Sequence, residues 1–160
     1  MNKVQQQSLK QALLDLRTKL TAPVYDLMSE QEKLDSLNTT LASEVTWTNA
    51  PAEIYQRVPY SHVVSYLAVQ DKWSGILNST VDEAVEFLDL IGRFEDFNRN
   101  KDGVDTAVSR VLDGLIGATP ALLTTEEKTF ILGLAEISMA QALGMASLKP
   151  YEITNAENAS

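Results

Sequence analysis

Few side chains in this 160-residue sequence can move a proton or ligate a metal, because it has no cysteine and a single histidine, His62. A catalytic base or a metal ligand needs a second functional group beside it. The acids nearest to His62 in sequence, Glu53 and Asp71, do not share its helix face. We therefore expect His62 to be a half-exposed structural or interface residue, with a general base or metal ligand as the alternative.

The turn at residues 98–103, from Asn98 to Gly103, resembles the start of an EF-hand calcium loop. It has oxygen ligands at positions 1, 3 and 5 and glycine at position 6, but position 12, which must be a bidentate carboxylate, is Ser109. Arg99 and Lys101 add positive charge to the same turn. We predict a turn between two helices, with Asp102 capping the second helix, and keep calcium binding as the alternative.

Carboxylates are concentrated in the segment 81–97, where we predict a helix. They are Asp82, Glu83, Glu86, Asp89, Glu95 and Asp96. A pair at i and i+4, such as Asp82 and Glu86, could bind a divalent ion, but paired-metal bundles use Glu-x-x-His motifs on two helices, which one histidine cannot supply. The preferred interpretation is a solvated acidic face, and docking of a basic partner is the alternative.

Hydrolase and nucleotide-binding motifs are missing, so we predict no catalytic residue, no cofactor and no metal.

Helix start and stop signals predict an all-α fold, a single-domain bundle of about six helices. Capping boxes are predicted at Ser29, Thr80 and Thr124, and the helix from Thr125 is expected to continue to Leu143. In the helix that follows Thr80, the spacing predicts an inward stripe that runs from Val81 to Phe94. That stripe comprises Val81, Ala84, Val85, Leu88, Ile91 and Phe94.

Residues 44–58 interrupt the helical pattern, and we predict an extended connector there, or a two-stranded ribbon. Large aromatic residues flank this connector, among them Trp47, Tyr60 and Trp73. Exposed aromatic residues of this kind anchor protein interfaces, so these three are interface candidates. Burial in the core is the alternative for each of them.

The N-terminal segment, residues 1–20, is predicted to be an amphipathic helix or arm, followed by a helical body at 21–153 and a loose tail at 154–160. Its leucines, at 4-3-4 spacing, form a narrow seam that must pack on the body or on a partner, which makes them interface candidates: Leu9, Leu13, Leu16 and Leu20. The segment carries a charge of +3, and the remaining 140 residues carry −12. The basic arm of one copy could therefore meet the acidic body of another, and a solvated helix face is the alternative.

The net charge of −9 repels phosphate backbones, so we expect no direct binding of nucleic acid. No apolar stretch approaches the length of about 18 residues that a membrane span needs. The polar N-terminal segment lacks the apolar region of a secretory signal, and the lack of cysteine fits a cytosolic product.

The last third of the chain is similar to the C-terminal end of small helical proteins of tailed bacteriophages. The residues that carry the resemblance are LTTEEK at 123–128, LGLAE at 132–136, SMAQALG at 138–144 and LKPYEI at 148–153. The helix start VPYS at 58–61 and the segment from Phe94 to Phe97 fit the same pattern, whereas Met139 and Met145 depart from it. The resemblance implies a virion-associated or assembly role, and it brings no site residues.

We predict a non-enzymatic structural or assembly protein, a component of the tail or neck of a tailed-phage virion, that acts through helix packing between subunits. Its expected partners are other protein subunits, with a second copy of itself as one candidate. Its expected location is the virion or the cytoplasm of the bacterial host. The alternative is a monomeric acidic adaptor or inhibitor that binds a basic surface of a partner protein.

Overall fold

The computed structural model describes residues 1–160 and is all-α in its broad class, as expected. It has ten α-helices rather than about six: α1 Lys3–Leu20, α2 Ala22–Asp26, α3 Glu30–Thr39, α4 Tyr60–Val69, α5 Trp73–Leu77, α6 Asp82–Arg93, α7 Val104–Gly117, α8 Thr125–Gly133, α9 Met139–Ala142 and α10 Pro150–Glu157. A 3-10 helix spans Ala42–Glu44, and the strands β1 Val58–Pro59 and β2 Asp96–Phe97 pair antiparallel. The predicted number was too low because several helices are too short to show a helical period.

The chain forms two compact units. Unit 1 comprises Met1–Ile54 and Glu136–Ser160, and unit 2 comprises Tyr55–Ala135. This division differs from the predicted single domain and from the predicted boundaries after residues 20 and 153. Both of those boundaries fall inside unit 1, because α1 packs against α2 and α10, and α3 packs against α9 and α10.

The core of unit 1 joins the first helix to the last. Leu9, Leu13 and Leu16 of α1 are at most 2% exposed, and Ile153 and Ala156 of α10 are fully buried. The tail from residue 154 therefore differs from the loose segment that we predicted, since α10 continues to Glu157. Pro150 suits the first turn of a helix, and two apolar residues at i and i+3 give α10 one face to bury.

Several helices begin at capping boxes, in which the side chains of two residues each bond the other residue's backbone. The boxes predicted at Ser29 and Thr124 are confirmed, and further boxes lie at Asn2 and Ser138. The box predicted at Thr80 is wrong, because α6 begins after Val81 without a side-chain cap. Glu83, which would have completed that box, lies instead against Gly114 of α7.

The core of unit 2 lies among α4 to α8 and the small sheet, in which Val58 pairs with Phe97 and Pro59 with Asp96. The stripe predicted for α6 is partly wrong, since Val85 and Phe94 are more than half exposed while Phe87 is buried. The helix ends at Arg93, and the backbone of Phe94 is extended. Asp96 and Phe97 then pair with β1, and Phe97 rather than Phe94 is buried in the core.

The irregular connector is confirmed, because residues 45–57 contain no helix and the ribbon strand β1 follows them. The predicted continuous helix from Thr125 to Leu143 is wrong, since α8 ends at Gly133. In unit 1, Ala42 N donates to Ile137 O at 2.8 Å, and Met139 N donates to Thr40 O at 2.9 Å. This pairing requires extended backbone around Ser138, so a helix cannot continue from Thr125 to Leu143.

Candidate functional site

A cleft of about 410 Å³ in unit 2 combines apolar residues with exposed charged residues in its lining. We call it the Phe94 cleft. Its floor is formed by buried or half-buried apolar residues, and its rim by exposed residues. The floor consists of Tyr60, Leu90, Phe97, Val104 and Val108, and the rim includes Phe94, Glu95, Lys101 and Asp102.

Two structural elements shape the floor of the cleft. The end of α6 provides Leu90, whose carbonyl oxygen accepts a hydrogen bond from Phe94 N at 3.3 Å. The pairing of β1 with β2 places Phe97 beside Tyr60, with ring centroids 5.6 Å apart. Tilted aromatic pairs at this distance are favourable, and both rings are buried beneath the cleft.

The turn at residues 98–103 forms one wall of the cleft, and its asparagines serve the fold. Asn98 Oδ1 accepts hydrogen bonds from Asn100 N at 3.0 Å and Asn100 Nδ2 at 2.7 Å. Asn100 Oδ1 accepts from Tyr55 N at 3.0 Å, and Asn100 Nδ2 donates to Tyr55 O at 2.8 Å. The side-chain oxygens of Asn98 and Asn100, two of the three considered as calcium ligands, are therefore engaged in hydrogen bonds, which favours the structural interpretation of this turn.

Arg99 connects the same turn to α7, to α8 and to the connector before β1. Its guanidinium donates to Asp105 Oδ1 at 2.7 Å and to Leu132 O at 3.1 Å, and it lies 4.3 Å from the centre of the Tyr55 ring. The predicted cap at Asp102 is wrong, because α7 starts after Gly103, whose φ of 81° is left-handed, and it has no side-chain cap. Glycine adopts this backbone without strain, and the Asp102 side chain remains exposed on the rim.

The rim of the cleft carries a net negative charge. Glu95, Asp96 and Asp102 form no salt bridge. Other carboxylates of unit 2 are paired with a lysine or an arginine, in the salt bridges Lys72–Glu127, Arg93–Asp89, Arg99–Asp105, Arg110–Glu86 and Lys128–Asp113. Lys101 is the one cation among the lining residues. Burial, and then the charge of Asp96, raise the pKa of Tyr60 to about 12. The Tyr60 hydroxyl therefore stays protonated at neutral pH.

The predicted interface residues fall at different places. Leu9, Leu13 and Leu16 are buried in unit 1, and Leu20 is half-buried against the same core. Trp47 is half-buried, and its Nε1 donates to Ala42 O at 2.8 Å. Trp73 is half-buried against the core of unit 2, and Tyr60 is buried in the floor of the Phe94 cleft. Only Tyr60 among the seven candidates lines this cleft.

Sequence reasoning missed Phe94 as an exposed residue, because helical spacing placed it in the core stripe. No local signal marks this exposure, because the helical spacing of apolar residues continues from Ile91 to Phe94. In the i, i+4 pair Asp82 and Glu86, the carboxylate of Glu86 forms an ion pair with Arg110. His62 lies exposed on α4, and no group of three or more potential metal ligands is present in the structure.

Unit 1 contains a larger groove of about 780 Å³, between the start of α1, the connector and the end of α9. Its polar lining consists mainly of amides, among them Gln5, Gln7, Gln11 and Asn49, with Lys3 as its one charged residue. These side chains supply hydrogen bonds but no acid–base pair.

Comparison with protein families, curated proteins and solved structures found no match for this chain. The resemblance of residues 123–153 to small helical phage proteins therefore stays a prediction. None of the helices combines the length and the apolar character needed to cross a membrane.

Proposed function

We propose that the protein is a non-enzymatic binding and assembly component that contacts another protein subunit through the Phe94 cleft. The observation that carries the proposal is Phe94 itself, which is 56% exposed at the edge of an apolar floor. A single exposed apolar residue is ordinary on a protein surface. An exposed aromatic residue next to an apolar cleft with a polar rim is typical of the centre of a protein interface.

Self-assembly through the leucine seam of α1 is disfavoured. Leu9, Leu13 and Leu16 already fill the core of unit 1, and exposing them to a partner would open that core. The acidic rim instead favours the second function considered from the sequence, an adaptor that binds a basic surface of a partner. A tailed-phage particle remains the proposed setting, and it rests on the resemblance of residues 123–153 alone.

Light scattering of the purified full-length chain at about 50 mM and about 500 mM salt is the first test. We expect the mass of a single chain in both, because an adaptor does not need a second copy. A salt-resistant oligomer would favour a self-assembling structural subunit instead.

Cross-linking of the full-length chain in its native source, followed by mass spectrometry, is the second test. We expect cross-links to a protein subunit from residues that surround the Phe94 cleft. A chain that is monomeric and forms no cross-link to any protein would contradict the proposed function.

A further inference from the structure

We infer that the Phe94 cleft receives one apolar anchor side chain of a partner protein, flanked on both sides by lysine or arginine. This inference rests on the proposed function, and it specifies the chemistry of the partner segment. Three features of the cleft carry it, namely its size, its apolar floor and the position of its charges.

The size of the cleft fits an anchor rather than a broad, flat contact. A volume of about 410 Å³ is near the lower end of the range of about 300–1,000 Å³ that is typical of ligand pockets. Within the floor, the side chains of Leu90, Phe97 and Val108 offer only apolar contact. An aromatic or aliphatic side chain can therefore displace water there without losing a hydrogen bond.

The charges of the rim determine what must surround that anchor. Glu95 and Asp96 follow α6, and Asp102 precedes α7, so carboxylates come from two separate segments that border the same floor. None of the three is neutralised by a salt bridge. A partner with basic residues on both sides of its anchor would match this pattern, whereas an acidic segment would be repelled.

A second copy of this chain is a poor occupant, although α1 is its most basic segment. Lys10 Nζ donates to Ala159 O at 2.5 Å, and Arg17 forms a bidentate pair with Asp26 at 2.9 Å, so both cations are engaged inside unit 1. The other two, Lys3 and Lys19, are 16 residues apart in α1. That separation is about 24 Å along a helix, which is too long to flank one anchor.

The probe for the test is a short synthetic peptide with a central phenylalanine between lysines, compared with two controls. In one control peptide serine replaces the phenylalanine, and in the other glutamate replaces the lysines. Binding to the full-length protein is measured by calorimetry at low and at physiological salt. We expect binding of the first peptide only, with affinity that falls as salt rises.

Two variants of the protein test the cleft itself. Phe94→Ser and Asp102→Lys should each weaken binding of the peptide about tenfold. The matched controls are Val69→Ser, at another exposed apolar residue, and Glu44→Lys, which makes the same charge change outside the cleft. Each control should change affinity by no more than about twofold. Since all four side chains are exposed, thermal unfolding should show that every variant is folded.

Several results would overturn the inference. If Asp102→Lys and Glu44→Lys weaken peptide binding equally, only the overall charge of the protein matters. If the serine peptide binds as tightly as the phenylalanine peptide, the apolar floor is not used. A dimer that is lost in Phe94→Ser would assign the cleft to a second copy. If the wild type cross-links to a protein subunit from residues around the Phe94 cleft but does not bind the first peptide, the inference fails while the proposed function stands. The proposed function fails if the wild type forms no cross-link to a protein subunit from those residues.

Discussion

The Tyr25 hydroxyl donates a hydrogen bond to Glu157 Oε2 at 3.0 Å, which joins α2 to α10 across 132 residues of sequence. Lys33 Nζ lies 3.0 Å from the other oxygen of the same carboxylate and 4.5 Å from the centre of the Tyr25 ring. Burial, and then the bond to Glu157, raise the pKa of Tyr25 well above its ordinary value. The hydroxyl therefore remains a donor, and this cluster connects the first and last segments of unit 1.

Replacing the carboxylate at this cluster should destabilise unit 1. We expect Glu157→Ala to lower the free energy of unfolding by about 1–3 kcal/mol, because buried Tyr25 and half-buried Lys33 lose their charged acceptor. Urea unfolding measures the change. Glu44→Ala removes an exposed carboxylate and should cost less than about 0.5 kcal/mol. Equal costs for the two variants would show that the cluster does not stabilise the fold.

Two adjacent leucines of α1 provide a matched pair for the role of that helix. Leu13 is 2% exposed and Leu14 is 47% exposed. Leu13→Ala should lower the free energy of unfolding by about 2–4 kcal/mol, because it leaves a cavity in the core of unit 1. Leu14→Ala should cost less than about 1 kcal/mol. Denaturant unfolding compares them, and a larger loss for Leu14→Ala would contradict the packing of α1.

Deletion of residues 1–20 extends the same argument. From the sequence, which predicts a separate arm at residues 1–20, this deletion is expected to abolish assembly and to leave the body folded. The structure predicts instead that unit 1 unfolds, because the deletion removes Leu9, Leu13 and Leu16 from its core. Hydrogen exchange measured by mass spectrometry should show lost protection in α10, which packs against α1. Full protection of α10 after the deletion would instead support the expectation that the body stays folded without residues 1–20.

The asparagine turn should matter for stability and not for calcium. Asn100→Ala removes both hydrogen bonds to the Tyr55 backbone, so we expect a loss of about 1–3 kcal/mol. Lys101→Ala, at the exposed neighbouring residue, should change stability by less than about 0.5 kcal/mol. Thermal unfolding measured with and without calcium chloride separates the two interpretations. A melting temperature that rises with calcium would favour the EF-hand alternative.

Tyr60 should make stability depend on pH in the alkaline range. Its pKa is raised from 10.0 to about 12, first by burial and then by Asp96. The unfolded chain therefore releases this proton more readily than the folded protein does. The contribution of Tyr60 is fully present below pH 10 and is lost as the pH rises towards 12. Unfolding measured across this range should show a shallower decline for Tyr60→Phe, and an unchanged decline would contradict the burial of this hydroxyl.

Local signals predicted several helix starts correctly, and packing explains where they failed. Ser29 with Glu32, and Thr124 with Glu127, form capping boxes that depend only on residues three apart. The same signal at Thr80 was misleading, because Glu83 lies against Gly114, a residue 31 positions later. A local pattern cannot report a competing contact that is distant in sequence.

The candidate cleft was less predictable than the fold class. Two of its acidic residues, Glu95 and Asp96, were included in a docking alternative, and Tyr60 was singled out, but Asp102 was assigned to a helix cap and Phe94 to the core. Helical spacing continues smoothly from Ile91 to Phe94, so nothing local shows that α6 ends at Arg93. The pairing of Val58 with Phe97, which turns the later aromatic residue inward, joins residues 39 positions apart.

By itself, the sequence determined the helical class, the irregular connector and the acidic character of the surface, because periodicity, turn residues and charge are local properties. The tertiary structure decided which apolar residues are buried. It placed the leucine seam of α1 inside unit 1, made α10 part of that core and left Phe94 exposed. Burial of an apolar side chain is stabilised by whatever surface covers it, and that surface comes from residues far away along the chain.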